Sequence, residues 1–261
     1  MKKTLIALAV AASAAVSGSA MAAGWEQNGT GGSVDLGGTL TPVEKVTPWE
    51  VKTGAAVTGL DAQIQKGQKV VNITVNKAIP VLGIRTVEKT AFQGQAGISP
   101  QINYGGVVDV ANFSKGYAPL TLDVKDANDA KIGTATTSIL AAAAGSHKKG
   151  STLNHKSLYA PVSGKGFFGG IGQNEAAVVD KPIGATAGIF AEASEHYDDQ
   201  GATSLSAPGD TSFAITGGTY SAFYASGIEQ GKIIKITLDQ GASSDAPIQW
   251  KASLPVTVSY Q

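Results

Sequence analysis

Apolar and polar residues alternate along several segments of the chain, and the first of these lies near the N-terminus. Residues 33–40 (SVDLGGTL) carry apolar or small residues at their even positions, namely Val34, Leu36, Gly38 and Leu40. Because successive side chains of a strand point to opposite faces, the segment is predicted to be extended with one apolar face. The preceding residues 23–32 are polar and glycine-rich. The strand therefore has no local partner and must pair with a sheet elsewhere in this chain or in a neighbouring chain.

The same pattern predicts a series of further strands. They cover residues 69–75, 79–84, 119–125, 131–140, 219–226, 232–238, 248–252 and 254–260. The apolar face of the last one consists of Leu254, Val256, Val258 and Tyr260. Pro255 lacks a backbone N–H, which favours a position at the edge of a sheet. Strands separated by turn signals, as at residues 126–129, favour an antiparallel sandwich over a parallel sheet.

Between residues 141 and 210 the alternation ends. The stretch is rich in Gly, Ala and Ser, and only residues 185–197 place apolar residues at helical spacing. We interpret it as surface loops and a short helix inserted into the β-framework. Such loops often carry binding sites, and the aromatic candidates for stacking on a sugar ring are Tyr159, Phe167, Phe168 and Tyr197. The alternative is that these aromatic side chains pack the insertion onto the sandwich.

The N-terminus has the features of a secretory signal peptide. Two lysines precede an apolar run over residues 5–16, and a small-residue exit follows at residues 19–22. We predict cleavage after Ala22, or after Ala23 as the alternative, and the first choice leaves 239 of the 261 residues. The apolar run is shorter than the roughly 20 residues that span a bilayer, so an export signal is favoured over a membrane anchor.

The charge and cysteine content argue against two classes of protein. The chain has 20 basic and 20 acidic residues, and loss of the two leader lysines leaves 18 basic against 20 acidic. Arg85 is the only arginine, so the basic patch of a nucleic-acid-binding protein is absent and no nucleic-acid partner is expected. The chain has no cysteine, and its length allows a sufficient core without a disulfide framework.

The sequence contains no arrangement typical of a catalytic or metal site. His147, His155 and His196 do not stand at metal-ligand spacing, and no G-x-S-x-G nucleophile motif occurs. We therefore predict no enzymatic activity, no cofactor and no bound metal. This disfavours an exported hydrolase, whereas a monomeric secreted glycan-binding module remains an alternative to a subunit of an assembly.

Taken in order, these segments resemble the K88 (F4) family of fimbrial subunits from enteric bacteria. The leader (MKKTLIALAVAASAA) is of the family's type, and residues 32–41 (GSVDLGGTLT) resemble its N-terminal donor strand. Further similarity covers residues 49–64, 76–92, 100–102, 221–240 and 249–260. Residues 141–210 resemble the family least. The absence of cysteine agrees with this family, whereas type 1-like pilins usually carry a disulfide.

The resemblance implies an all-β fold, namely an incomplete immunoglobulin-like sandwich that lacks one strand. It assigns residues 1–22 to a signal peptide, 23–41 to a donor-strand extension and 42–261 to a pilin domain, with a variable insertion at about 141–210. A periplasmic chaperone fills the gap first, and an outer-membrane usher then exchanges the chaperone for the extension of the next subunit. The implied partners are neighbouring subunits, the chaperone, the usher and host glycoproteins or glycolipids. The implied location is a fimbrium on the cell surface.

This resemblance also assigns roles to the two alternating segments at the ends of the chain. The expected donor residues are Val34, Leu36, Gly38 and Leu40. The expected wall of the acceptor groove, also used by the chaperone, consists of Leu254, Val256, Val258 and Tyr260. From the residues alone, two alternatives stay open. In the first alternative, residues 34–40 are an ordinary first strand of their own domain. In the second, the C-terminal strand is simply paired within the core.

Overall fold

The computed structural model describes residues 27–28, 36–41, 46–242 and 246–261. The chain divides into two units, residues 1–45 and residues 46–261. The described residues of the first unit belong to no helix or strand, and all the elements named below lie in the second unit. The predicted signal peptide lies outside the described residues.

The described residues form eleven strands, one α-helix and three 3-10 helices. The strands are β1 (Trp49–Thr53), β2 (Val70–Thr74), β3 (Ile79–Thr86), β4 (Phe92–Gln93), β5 (Pro100–Asn103), β6 (Tyr117–Lys125), β7 (Lys131–Lys149), β8 (Thr152–Ser157), β9 (Thr219–Ile228), β10 (Ile233–Leu238) and β11 (Thr257–Tyr260). The helix α1 spans Pro182–Phe190, and the 3-10 helices span Val110–Asn112, Glu175–Ala177 and Ala191–Ser194. Within the described ranges, no helix has the length and apolar character needed to cross a bilayer.

The strands form two sheets, and every pairing between named strands is antiparallel. Nine strands belong to one sheet, whose main order is β1-β3-β9-β7-β10-β2. In that sheet β4 pairs with β9, while β6 and β8 pair with β7. The second sheet consists of β5 and the C-terminal β11. The predicted fold class, an all-β antiparallel sandwich with one short helix, is thereby confirmed.

Strand β7 continues nine residues beyond the predicted end at residue 140. Its first half pairs with β6 and β10, and its second half pairs with β8 and β9. Ala141 and Ala143 belong to the main core, whereas Ala144 belongs to a second hydrophobic cluster. Because both faces are covered, the strand is a run of small apolar residues without alternation, and this is why the sequence pattern did not reveal it.

The second hydrophobic cluster lies beneath α1 and the 3-10 helix that follows it. Its buried members are Ala144, Phe190, Ala193, Phe223 and Ala225. Two glycines of the sheet permit the close approach. A Cβ atom at Gly83 would lie 2.9 Å from the Phe190 ring, and one at Gly227 would lie 2.6 Å from Cγ2 of Ile189. Small residues on this face of the sheet therefore determine where the helix sits.

The helix was predicted over residues 185–197 and is confirmed in part. It begins three residues earlier, at Pro182, which suits the first turn because proline lacks the N–H that would have no partner there. The α-helix ends at Phe190, and the chain continues as a 3-10 helix to Ser194.

Aromatic side chains fill one end of the main core. The indole N–H of Trp49 donates a hydrogen bond of 2.6 Å to the carbonyl oxygen of Ile98. The Trp49 ring makes edge-to-face contacts with Phe167 at 5.8 Å and with Phe213 at 5.0 Å. Such pairs stabilise a core beyond the area that they bury. The cluster thus ties β1 to two segments that belong to no strand.

The C-terminal region differs from the prediction in two respects. Residues 248–252 form no strand, and only Lys251 makes an isolated bridge, to Lys125. Strand β11 begins at Thr257, since Pro255 has no N–H to contribute to the ladder. Burial nevertheless alternates from residue 252 to residue 260, with the even positions half-buried and the odd positions exposed.

Candidate strand-accepting groove and ligand cleft

The C-terminal segment presents an apolar face that is covered only in part. Its side chains pack against the main core and are half-buried; they are Leu254, Val256, Val258 and Tyr260. The corresponding face of β10 is fully buried, with exposed fractions of 5–8% for Ile234, Ile236 and Leu238. The core is therefore less completely covered along the C-terminal segment than along β10.

Strand β11 is paired along one edge only, as far as the described residues extend. Its ladder with β5 continues to Ser99 and Gln261, which exchange two hydrogen bonds of 2.9 and 3.1 Å. In an antiparallel ladder such pairs alternate with residues whose N–H and C=O groups point away from the partner strand. Val258 and Tyr260 consequently direct their backbone groups to the other edge. No strand of the described part of the chain pairs there.

The far edge of β5 is already closed by a loop. The Phe167 N–H donates to the Pro100 carbonyl at 2.7 Å, and the Ile102 N–H donates to the Phe168 carbonyl at 2.8 Å. An additional strand can thus extend this small sheet only along β11. There its side chains would reach the half-buried face of the core. We call this place the strand-accepting groove, defined by residues 254–260.

Three of the four expected donor residues lie in the described part of the chain. Leu36 and Leu40 are 94% and 96% exposed, and Gly38 is exposed between them. Val34 lies outside the described residues. Leucine side chains are usually covered in a folded protein, so an exposed pair at alternating positions suits a segment whose cover comes from another chain. Pairing with a neighbouring subunit stays a prediction.

The four aromatic residues considered for a sugar site have different surroundings. Phe167 is fully buried and belongs to the main core, and Phe168 is half-buried against the same core. Tyr197 packs on Phe223 of the second cluster, with ring centroids 5.4 Å apart. Tyr159 is half-buried. A buried ring such as that of Phe167 has no free face for a sugar, so a glycan site that includes all four stays a prediction without geometric support.

A separate cleft of about 180 Å³ lies between the β7–β8 hairpin and residues 210–215. Its charged lining residues are Lys156, Lys165 and Asp210, and the last two form an ion pair of 2.6 Å. The stacked rings of His147 and Tyr220, 4.5 Å apart, also line it. Lys156 is the cation of this lining that has no carboxylate partner within 4.0 Å among the described residues. The cleft therefore suits a polar ligand that carries hydroxyl or anionic groups.

The three histidines are not brought together. His147 and His155 lie on opposite faces of the β7–β8 hairpin, because His155 pairs with Ser146. The Nδ1 atom of His196 lies 2.7 Å from the carbonyl oxygen of Thr86. In the part of the chain that the structure describes, no group of three or more histidine or carboxylate side chains could hold a metal ion.

His155 is expected to make the stability of the fold depend on pH. Both of its ring nitrogens are buried without a hydrogen-bond partner in the described structure. Burial lowers the pKa of His155, and Asp199 opposes this shift. The folded state therefore binds protons less readily than the unfolded state. The contribution of the neutral ring to stability is complete above the unfolded pKa of about 6.5 and is lost as the pH falls through the lower folded pKa.

The measurement is the free energy of unfolding at a series of pH values from neutral to acidic. We expect it to decrease as the pH falls below about 6.5. His155→Phe should flatten this decrease in part, because the phenyl ring does not titrate. Burial also lowers the pKa of His147, so some slope should remain. An unchanged slope in His155→Phe would contradict the assignment.

Sequence reasoning missed two residues of the partly covered core. Leu60 and Ile64 lie between β1 and β2, belong to no strand and are half-buried against the main core. Residues 60–64 (LDAQI) do alternate between apolar and polar. That pattern was the signal that could have identified them.

The chain is similar to known proteins along its whole length. The whole chain, residues 1–261, matches the family described as "Fimbrial, major and minor subunit". It is 32% identical to K88 fimbrial protein AB of Escherichia coli over 292 residues, and 31% identical to K88 fimbrial protein AC of the same species over 290 residues. Both alignments cover all of each chain.

A third relative shares only half of the chain. The F41 fimbrial protein of Escherichia coli is 37% identical over 145 residues, which is 51% of this chain and 50% of that protein. The relatives are thus fimbrial proteins, which form surface appendages of the cell. With the full-length match and the antiparallel sandwich, the chain belongs to the K88-type family of fimbrial subunits.

Proposed function

We propose that this subunit polymerises by accepting an extended strand of a neighbouring subunit in the strand-accepting groove. The observation that carries the proposal is the combination found at β11. Its side chains cover the core only in part, and its second edge has no pairing strand among the described residues. A strand added there would satisfy the free backbone groups and cover the core in one step. It would also remove an open sheet edge, which otherwise invites aggregation.

Residues 33–40 are the proposed strand to be donated. Burial of Val34, Leu36 and Leu40 would contribute roughly 1.5–3 kcal/mol each before the cost of association. The alternation specifies the register, because a slip by one residue would turn Asp35 and Thr39 towards the core. Because Gly38 has no side chain, the groove should be shallow at that position. The resulting polymer should dissociate very slowly.

Export and assembly require further partners in this proposal. An unfilled groove exposes apolar surface and a free strand edge, so a periplasmic chaperone would have to cover it before assembly. An outer-membrane usher would then carry out the exchange. Residues 1–22 would direct the chain out of the cytoplasm as a signal peptide. The support for these steps is the family of the chain and the open edge of β11.

Deletion of residues 23–40 tests the assignment of the donor. The shortened subunit should still form a one-to-one complex with its chaperone, because the groove is intact. It should donate to no other subunit, so fimbriae built from it alone should be absent by electron microscopy. Normal polymerisation of the shortened subunit would refute the donor assignment. A stable folded monomer of the full exported chain, obtained without any partner, would refute the groove.

We also propose that the subunit contributes to adhesion, with the cleft beside Lys156 as the place where a host glycan binds. The support is a polar concave site with a stacked His147–Tyr220 pair and a lysine without a carboxylate partner among the described residues. A glycan array probed with assembled fimbriae identifies ligands. For any ligand that the array identifies, Lys156→Met should weaken binding about tenfold. Lys66→Met, at an exposed position outside the cleft, should leave it unchanged. Equal binding by both variants would exclude the cleft.

A further inference from the structure

Gln101 is a buried polar side chain in the middle of β5. It is only 8% exposed. Its Nε2 atom lies 2.9 Å from the carbonyl oxygen of Lys165 and within 3.2 Å of those of Ser99 and Pro100. Its Oε1 atom accepts a hydrogen bond of 3.0 Å from the Gly164 N–H. The Gln101 amide thus uses nearly all of its hydrogen-bonding capacity on main-chain groups of two separate segments.

The segment held by this amide also closes one edge of β5 and touches the C-terminus. Residues 167–168 form the ladder on the edge of β5 opposite to β11. The Ser163 hydroxyl lies 2.8 Å from Oε1 of Gln261, the residue that follows β11. On its other side, the segment is fastened by the Gly166 N–H, which donates to the Thr211 carbonyl at 2.7 Å. Gln101 therefore stands where β5, β11 and the rest of the domain are joined.

We propose that Gln101 is the positioning residue of the strand-accepting groove. By locking residues 163–165 onto β5, its amide holds β5 in place, and β5 in turn is the only strand that pairs with β11 in the described structure. The inference rests on the proposed strand-accepting function, because it concerns how the groove is kept ready for the incoming strand. The segment that forms the wall is then ordered before the donor arrives.

The physical reason for this role is the entropic cost of ordering β5 and β11 when the donor strand binds. A wall strand that is paired on one edge only must keep its register without help from the other side. If β5 were free to shift, binding of the donor would have to order both strands, and that cost would be subtracted from the affinity. Loss of the amide would also leave buried carbonyl and N–H groups without partners. The expected consequence is a faster release of the donor strand.

The test uses the full chain with Leu36→Asp, which should not donate, released from its chaperone immediately before each measurement, and a synthetic peptide of residues 31–42 as the donor. Amide hydrogen exchange of residues 254–261 reports the groove, and the release of a labelled peptide reports the strength of the contact. The peptide should slow exchange at Val258 and Tyr260. With Gln101→Met added, this protection should weaken and the peptide should leave roughly tenfold faster or more. Gln93→Met, an exposed glutamine of β4, is the matched control.

Gln101→Glu provides a second variant of nearly the same size. At neutral pH its carboxylate would face three carbonyl oxygens, which disfavours the native geometry. Acidification protonates the carboxyl group and restores one donor, so retention of the peptide should recover relative to Gln101→Met. If Gln101 acted only by filling space, Gln101→Glu and Gln101→Met would show the same pH dependence.

The possible results separate the two proposals. If the peptide protects the groove equally in the parent chain and in Gln101→Met, the positioning role is refuted and the groove is retained. If the peptide protects no variant, the groove proposal fails. Exchange without peptide then decides alone, since Gln101→Met should still accelerate exchange of the Ser99 and Gln261 amides. Unchanged exchange at these amides would refute the positioning role.

Discussion

We expect Leu36→Asp to abolish fimbrial assembly, which is the largest effect predicted for a single substitution in this chain. The variant removes about 1.5–3 kcal/mol of apolar burial from the donor–groove contact and directs a carboxylate into an apolar site. A carboxylate buried there without a partner either stays unpaired or takes up a proton, and both outcomes oppose binding. Electron microscopy and the distribution of polymer lengths are the measurements.

Thr39→Asp is the matched control for this experiment. It introduces the same charge three residues away, but in the proposed register residue 39 faces away from the core. Assembly should therefore persist. The Leu36→Asp subunit should also be left out of growing fimbriae when mixed with the parent chain, because each incoming subunit must donate its strand to the subunit before it. Equal loss of assembly in both variants would indicate a general intolerance of charge and would refute the register.

The second large effect concerns Phe167. Its ring is fully buried between Trp49, Phe213 and Tyr224, with centroid distances of 5.6–5.9 Å. Phe167→Ala should reduce the free energy of unfolding by about 3–5 kcal/mol, a large share of the roughly 5–15 kcal/mol that stabilises a typical domain. Chemical denaturation of the full chain measures this loss.

Phe168→Ala serves as the comparison, because removal of its half-buried ring leaves a smaller cavity in the core. It should cost clearly less than Phe167→Ala. Residue 167 also has a φ of +64°, in the left-handed region that disfavours side chains. Phe167→Gly should therefore be less destabilised than Phe167→Ala. If Phe167→Ala kept its stability and lost only sugar binding, the ring would belong to a ligand site and not to the core.

How well the sequence predicted each strand depended on how its faces are covered. In β10 one face is buried and the other is exposed, so Ile234, Ile236 and Leu238 stand out at every second position. The second half of β7 is covered by the main core on one face and by the second cluster, beneath α1, on the other. Its alanines then show no period, and the strand was interpreted as the start of a loop region. Alternation detects strands with one covered face and misses those with two.

The candidate site was likewise predictable from the sequence only in part. The face formed by residues 254–260 was identified because it alternates, and its even positions are half-buried in the structure. Its role as an acceptor wall stays a prediction. Gln101 gave no signal, since the partners that join it to another segment are main-chain atoms of Gly164 and Lys165, more than sixty positions away. A side chain that bonds to distant backbone groups leaves no pattern in the sequence. The geometry of the folded chain is needed to find it.

The length of β7 has a consequence for how the domain comes apart. Along its first half it pairs with β6 and β10, and along its second half with β8 and β9. A single backbone thus runs through both groups of strands, and neither group retains a complete sheet without it. Melting of one half should then withdraw the support of the other, so that residues 46–261 unfold as one cooperative unit and do not open progressively from one end.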